Sequence, residues 1–504
     1  MGTFQSTGGT FSDYMTDMNR VYYLSTSNAT YLTFFSADAF TLATANTTKN
    51  WDGELEYSTD AISWITWDGT TALSSSSVNS STLTATLYLR GTGNTRITGN
   101  SDSYRWVLTG ANISCTGNIE NLLDYQTVAR GEHPAMASYC YYYLFYGCTS
   151  LISAPELPAT TLTSSCYSGM FFNCTSLTTP PALPATTLAN WCYEFMFRGC
   201  TSLATTPALP ATTLTYECYS SMFNNCTSLT VPPVLPATTL AKSCYEDMFL
   251  GCTSLATAPA LPATTLAERC YYQMFSSCGS LTVAPVLPAT TLVKNCYSRM
   301  FHYCSSLTSI PQLPAATLAD GCYEDMFIDS YRVKLSATQT EEYQIPYRIP
   351  SSGTGTAGTD SLKNMFSRTG GTFKSTPDIN TTYYLSTSNS IVYPNYLTFS
   401  SSDTFTLAVN NSTKNWDGEL EYSLDANSWN TWDGTTTLTS SAVDSSALIS
   451  RLYLRGTGNT YITGYASSTE PGREWELVET TNSGGIYCIG NIENLLDYQT
   501  VAQG

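Results

Sequence analysis

Cysteine is the residue type here most able to do chemistry, and its spacing is unusual. Seventeen cysteines occur in 504 residues, and fifteen fall into two registers. One register recurs every 26 residues from Cys140 to Cys322, and the other follows eight residues behind, from Cys148 to Cys304. Thiols so placed could form disulfides, bind a metal or exchange electrons. On a helix, eight residues are two turns, about 12 Å, too far for a disulfide within one repeat. No CxxC pair is present, and His133 and His302 are the only histidines, so a Cys/His metal centre lacks a ligand set. The spacing predicts a ladder of small buried thiols. Disulfides between neighbouring repeats are the alternative.

Other chemistry finds thinner support. Nucleophilic catalysis needs a base in reach, most often histidine. His133 stands beside Pro134, and His302 occupies a position held in other repeats by Phe172, Arg198, Asn224, Leu250 and Ser276. "GTGTAG" at Gly353–Gly358 matches the dinucleotide fingerprint but lacks a surrounding βαβ unit, so it reads as a loop. Asp52, Glu54 and Glu56 return as Asp417, Glu419 and Glu421. Alternation on a strand puts each trio on one face, where solvated side chains, a calcium site or a glycosidase pair are the readings in descending order. No catalytic residue, resident metal or cofactor is expected, with calcium at these carboxylates kept as the exception. Trp51, Trp64 and Trp67 return as Trp416, Trp429 and Trp432 and are the candidate ligand-binding residues, as a platform for sugar rings. A β-sandwich of this size usually buries its tryptophans. Trp64 and Trp67, three apart, face opposite sides of a strand, so one of them should be exposed.

The elements that must position these residues come in two kinds. "LTSSCYSGMFFNC" spaces Leu162, Cys166, Tyr167, Met170, Phe171 and Cys174 as one apolar helical stripe, with Thr160 and Thr161 as candidate caps. Gly147, Asn173, Gly199, Asn225, Gly251, Ser277 and Tyr303 precede the second cysteine, where Gly and Asn suit a left-handed stop. "TSLTTPPALP" then predicts a strand of three or four residues, because Pro181 and Pro184 cannot donate to a ladder. Seven such repeats run from Cys140 to Gly321, and an eighth opens at Cys322 and breaks off.

The second kind is said twice. "NWDGELEYSTDAISWITWDGTT" from Asn50 returns nearly unchanged from Asn415, and "LYLRGTGNTRITG" from Leu87 returns from Leu452. Short alternating runs parted by turn residues read as a β-sandwich, and "NIENLLDYQTVA" reads as one helix leading into the repeats.

The phrase "MFxxCTSLTxxPxLPATTLxxxCYxxMF", from Tyr139 to Phe327, resembles the BspA-like leucine-rich repeat family of bacterial surface proteins and of gut bacteria and their phages. The resemblance implies a curved solenoid, a task in adhesion or binding, and no catalytic residue. The expected architecture is α+β and multidomain: a leucine-rich-repeat solenoid of 26-residue helix/short-strand repeats between two homologous β-sandwiches. The segments are 1–131 (sandwich ending in a helix), 132–327 (solenoid), 328–372 (exit cap and linker, of which 328–367 lacks the repeat) and 373–504 (second sandwich). "TFQSTGGTF" at Thr3 resembles "MFSRTGGTF" at Met365, and "DYQTVAQG" at the end matches "DYQTVARG", so the chain reads as a piece of a longer alternating array.

Charged residues make up 12% and the net charge is −18, which opposes binding to nucleic acid or anionic lipid. No run of eighteen apolar residues exists to insert in a membrane, and "MGTFQSTGGTFSDYM" has no secretory leader pattern. The expectation is a trimmed piece, or release by a route such as lysis. Positions that vary among the copies, such as Asn190–Trp191, Tyr216–Glu217 and Glu194–Phe195, decorate the outer side, while concave positions such as Thr178–Thr179 and Ala204–Thr205 are small. The array thus reads as a spacer with a decorated outer surface. The functional expectation is a non-enzymatic extracellular adhesion protein on a bacterial surface or phage virion. Its partners would be surface glycans or proteins and neighbouring modules of the array. A purely structural stalk and a carbohydrate-binding module acting through the tryptophans are the alternatives.

Overall fold

The computed structural model describes residues 30–392, 396–401, 404–409, 414, 416–424, 428–441, 450–462, 475–479, 486–489 and 492–501. The Thr3 stretch lies outside the described residues. The first sheet-forming copy contains β1 (Leu32–Ser36), β2 (Thr41–Thr44), β3 (Glu54–Ser58), β4 (Ile65–Thr66), β5 (Leu73–Ser74), β6 (Ala85–Thr92), β7 (Trp106–Thr109) and β8 (Ile113–Thr116). Helix α1 (Asn121–Ala129) follows, and β9 (Leu151–Ser153) comes from the first repeat. The strands form a sheet in the order β4-β3-β6-β1-β8-β9 and a second in the order β5-β2-β7. β6 alternates as the pattern requires: Ala85, Leu87, Leu89 and Gly91 face the core, and Tyr88 and Arg90 face out. Because β9 extends the first sheet and one apolar core runs through both, the expected boundary at residues 131–132 is not a break in packing.

The helix expected in each repeat is absent. In its place, backbone N–H groups alternate between two partners. Ser168, Met170, Phe172 and Cys174 donate to carbonyls three residues back, at 3.0–3.3 Å. Tyr167, Gly169, Phe171 and Asn173 donate to Cys192, Glu194, Met196 and Arg198 of the next repeat, at 2.7–3.1 Å. Such a chain of turns needs a left-handed residue every fourth position, and Ser165, Gly169 and Asn173 have φ of 54°, 60° and 57°. The glycine and asparagine expected to stop a helix therefore do adopt positive φ, but as members of a turn series. Thr160 and Thr161 do not cap a helix; they stand in a parallel bridge ladder that joins Thr161 to Thr187. The strands shrink mostly to single bridges, Thr205 with Val231 and Thr257 with Val283 among them. The α+β expectation gives way to a repetitive fold of turns and short strands whose α-helices, among the described residues, are α1 and one counterpart.

Between these rungs run two aromatic ladders. Tyrosines stack from Tyr141 to Tyr323 and phenylalanines from Phe145 to Phe366, each ring nearly parallel to the next, as at Phe197–Phe223 (5.7 Å, 5°) and Tyr193–Tyr219 (5.8 Å, 4°). Phe34 and Trp106 of the first copy meet Phe145 at 6.2 and 6.0 Å and close that end of the stack.

The exit segment was expected to lack the repeat, yet it holds a further rung. Asp360, Asn364 and Arg368 carry the positive φ (53°, 54°, 56°), and Tyr323, Asp325 and Phe327 donate to Ser361, Lys363 and Met365. Ser361, Leu362 and Thr369 replace Cys, Tyr and Cys, and β10 (Ser309–Pro311), β11 (Thr317–Leu318), β12 (Leu335–Ser336), β13 (Tyr343–Arg348), β14 (Thr356–Ala357), β15 (Thr382–Ser386) and β16 (Ser390–Val392) surround it. β15 pairs with β12 and β13, and β16 with β10, so residues to Val392 join the end of the array instead of the second copy. "GTGTAG" lies in this cap, where β14 pairs with β11.

The second copy comprises β17 (Leu397–Ser401), β18 (Phe405–Val409), β19 (Glu419–Ser423), β20 (Asn430–Trp432), β21 (Leu438–Thr439), β22 (Ser450–Thr457), β23 (Trp475–Glu479), β24 (Tyr487–Ile489) and α2 (Asn494–Val501). Its sheets, β20-β19-β22-β17-β24 and β21-β18-β23, repeat the first order.

Candidate functional site

The tryptophans divide by the side of the sheet they occupy. Trp51 and Trp67 are 3% and 2% exposed, pack tilted against each other at 5.0 Å, and belong to the core; Trp416 and Trp432 repeat this at 3%, 1% and 5.2 Å. Trp67 Nε1 donates to the Thr71 carbonyl at 2.9 Å, and Trp432 Nε1 to Thr436 at the same distance, so these rings pin loops. Of the six candidate tryptophans, Trp64 and Trp429 reach the outside, both half-buried, just before β4 and β20. The odd spacing of Trp64 and Trp67 was legible, and the structure puts the two on opposite sides.

Around Trp64 the outward face of β6 builds a compact cluster. Arg90 lies opposite Glu56 in the β3–β6 register, and its Nε donates to Glu56 Oε2 at 2.8 Å. Its guanidinium sits 4.0 Å from the centre of the Trp64 ring and 4.4 Å from that of Tyr125, a cation held between two π faces. Tyr31 packs on Trp64 at 5.8 Å and on Tyr88 at 5.1 Å. The second copy reproduces the arrangement: Arg455 is 4.0 Å over Trp429 and 2.7 Å from Glu421, with Tyr396 at 5.6 Å from Trp429 and 5.3 Å from Tyr453. Sequence reading found Trp64 and Trp429 but missed Arg90 and Arg455. The repeated "LYLRG" carried that signal.

The carboxylates of the trio are engaged in different ways. Asp52 accepts from the Thr95 hydroxyl and amide at 2.6 and 2.9 Å and from the Arg96 amide at 3.2 Å, which draws its pKa below the usual value despite burial that pushes the other way. Glu56 serves Arg90, and Glu54 faces solvent. Among the described residues no three acidic, His or Cys side chains converge as metal ligands.

All seventeen cysteines are free. The second register makes a repeated bond: Cys174 Sγ donates to Phe145 O at 3.1 Å, and Cys226 to Phe197 O at 3.0 Å. Burial pushes thiols such as Cys218 and Cys252 up to about 12, so they stay protonated and unreactive. His133 Nδ1 lies 2.8 Å from the buried carboxyl of Glu120 at the array's start. His302 stands between Ser276 Oγ (3.4 Å from Nδ1) and Asp329 (3.8 Å from Nε2), an outline of a triad. Ser276 is only 3% exposed, and Asp329 is engaged by Arg368, so no accessible nucleophile results.

On the turn side the variable positions gather into an aromatic and acidic patch. Trp191 Nε1 donates to Glu217 Oε2 at 2.9 Å, and Trp191 meets Tyr216 at 5.2 Å. Burial first, and the like charge of Glu217 second, push Glu194 up to about 8. Two rungs on, the same register holds a neutral solution: Glu246 pairs with Arg269 at 3.0 Å through Nε, and Arg269 stacks 3.7 Å over Tyr272.

A stability prediction follows from the sign of the Glu194 shift. Between its unfolded value of 4.5 and about 8, the folded chain keeps a proton that the unfolded chain has lost. Its stabilisation is complete below the unfolded value and disappears as pH rises through about 8. Asp247, pushed up to about 6 by burial, adds to the same slope. The melting temperature should fall from pH 5 to pH 8.5, less steeply in Glu194→Gln. Glu217→Arg, which installs the pairing of Arg269, should raise stability at pH 8 by about 1–2 kcal/mol. Parallel pH–melting curves for all three proteins would contradict this account. No family model, curated protein or solved structure matches the chain.

Proposed function

We propose that this chain is a non-enzymatic adhesion protein, acting outside the cell on a bacterial surface or a virion. In this reading a solenoid of the leucine-rich-repeat kind, similar to the BspA-like family, spaces two homologous β-sandwiches. The observation that carries it is the duplicated outward face, Trp64–Arg90–Glu56 and Trp429–Arg455–Glu421, with the same guanidinium-to-ring distance of 4.0 Å in both copies. A side chain needed only for folding can be buried, as Trp67 and Trp432 are; an aromatic, a cation and a carboxylate kept together at the surface twice are what recognition uses. The partner is a surface glycan or a protein. The repeat thiols, all buried, fit an oxidising setting, because burial keeps them from exchange.

The carbohydrate-binding reading draws on the same face, since tryptophan and tyrosine rings beside charged donors suit sugar hydroxyls and ring faces. The stalk reading draws on the uniform rungs, whose inner positions are Thr, Ala and Val. A glycan-array and whole-cell binding screen of the full chain against Trp64→Ala/Trp429→Ala separates them. Adhesion predicts binding that the double variant loses by tenfold or more, with an unchanged melting curve. No binding to any surface or glycan would favour the stalk.

A further inference from the structure

Where the first sheet-forming copy meets the first rung, a cavity of about 420 Å³ opens, lined by Lys49, Asn50, Arg96, Asn100, Tyr104 and Tyr139 among others. Its chemistry runs against the rest of the chain. The protein carries 21 Lys and Arg against 39 Asp and Glu, and yet two cations line this one cavity. Neither Lys49 nor Arg96 forms an ion pair among the described residues. Asp52, whose carboxylate meets the Arg96 backbone, is occupied by the backbone amides of Thr95 and Arg96 and by the Thr95 hydroxyl. Asn50 is tied into the wall through Asn46 (3.3 Å) and the Tyr104 carbonyl (3.5 Å), and Tyr139 is braced by Tyr142 at 5.5 Å.

The second copy supplies a comparison. Arg96 becomes Tyr461 and Asn100 becomes Tyr465, while Lys414, the counterpart of Lys49, donates its Nζ to the Gly418 carbonyl at 2.5 Å. The "LYLRGTGNT" scaffold therefore does not require Arg96. Tyr139, from the start of the array, is part of the cavity's lining.

We infer that this junction cavity binds an anionic sugar, whose carboxylate or sulfate engages Arg96 and Lys49. A guanidinium fork donates two parallel hydrogen bonds to either group. Asn50 and Asn100 offer amides for hydroxyls, and Tyr104 and Tyr139 offer rings for an apolar sugar face. The volume falls within the few-hundred-Å³ range of small-ligand sites and has room for a sugar residue. The inference deepens the adhesion reading by naming a ligand class, but it does not use the Trp64 face.

The test is calorimetric titration of the full chain with N-acetylneuraminic acid, glucuronic acid, galactose-6-sulfate and galactose. The acidic sugars should bind and galactose should not; whether the carboxylates or the sulfate bind more tightly identifies the anion. Arg96→Tyr, a residue the fold already accepts at Tyr461, should weaken binding by about tenfold or more, and so should Lys49→Ala. Trp64→Ala/Trp429→Ala should leave this binding intact, which keeps the site's failure distinct from failure of the adhesion face. Equal binding of galactose, unchanged affinity in Arg96→Tyr, or no binding of any acidic sugar at roughly 10 mM would overturn the inference.

Discussion

Phe223→Ala should cost about 3–5 kcal/mol, the largest loss of any single side chain in the repeats. The ring is fully buried, stacks between Phe197 and Phe249 at 5.7 and 5.8 Å, and sits mid-array where neither end can collapse onto the gap. Each rung contacts only its neighbours, so a cavity there weakens two interfaces at once and divides the stack. Urea unfolding followed by tyrosine fluorescence reads the effect. Val234→Ala, at an exposed position of the same array, should change stability by about 0.5 kcal/mol or less. Similar losses for both variants would contradict the ladder as the source of stability.

Gly91→Ala should be nearly as damaging, for a different reason. A Cβ there would stand 1.8 Å from the Leu122 carbonyl oxygen of α1 and 2.7 Å from Asn94 Nδ2. Asn94 is the rivet of this contact: Nδ2 donates to Leu122 O at 3.0 Å and Glu54 O at 2.7 Å, and Oδ1 accepts from Gly53 N at 2.6 Å. Backbone, unlike a flexible side-chain end, cannot give way cheaply, so α1 must lift off β6 at a cost of roughly 3 kcal/mol or more. Gly456 meets Leu495 O at the same 1.8 Å with Asn459 in the rivet's place, so Gly456→Ala repeats the test. Thermal melts of the two variants should show the loss, and wild-type melting of either would contradict the close packing.

The residues that revealed the repeats also concealed their structure. Cys166, Met170 and Cys174, with Tyr167 and Phe171, recur at intervals of four, and over nine residues that spacing does not differ from a helical period of 3.6. The distinguishing signal was the second set at the same interval, Ser165, Gly169 and Asn173, where left-handed φ recurs. Gly, Asn and Asp crowd those positions in some rungs, but Trp191, Phe195, Glu217 and Arg269 occupy them in others with φ of 52–58°. Backbone bonds to the next rung offset a local strain of about 1–2 kcal/mol per residue that no propensity scale anticipates. The last rung escaped notice because Ser361, Leu362 and Thr369 lack the signature types. The sheets were easier to read, since alternation in "LYLRG" fixes which side each residue faces. Arrangements made across the chain, such as Arg90 between Trp64 and Tyr125 or Tyr139 and Lys49 lining one cavity, belong to tertiary packing and have no local signature.

The central claim is that two copies of one face, held on a common scaffold, bind a surface together. Surface plasmon resonance on immobilised target-cell envelope, with wild type, Trp64→Ala, Trp429→Ala and the double variant, tests it directly. Two linked sites gain avidity over one, so each single variant should dissociate about tenfold or more faster than wild type, and the double variant should keep no more than the binding that free acidic sugar competes away. Equal dissociation of all four proteins would contradict the claim and leave the tryptophan faces without a part in adhesion.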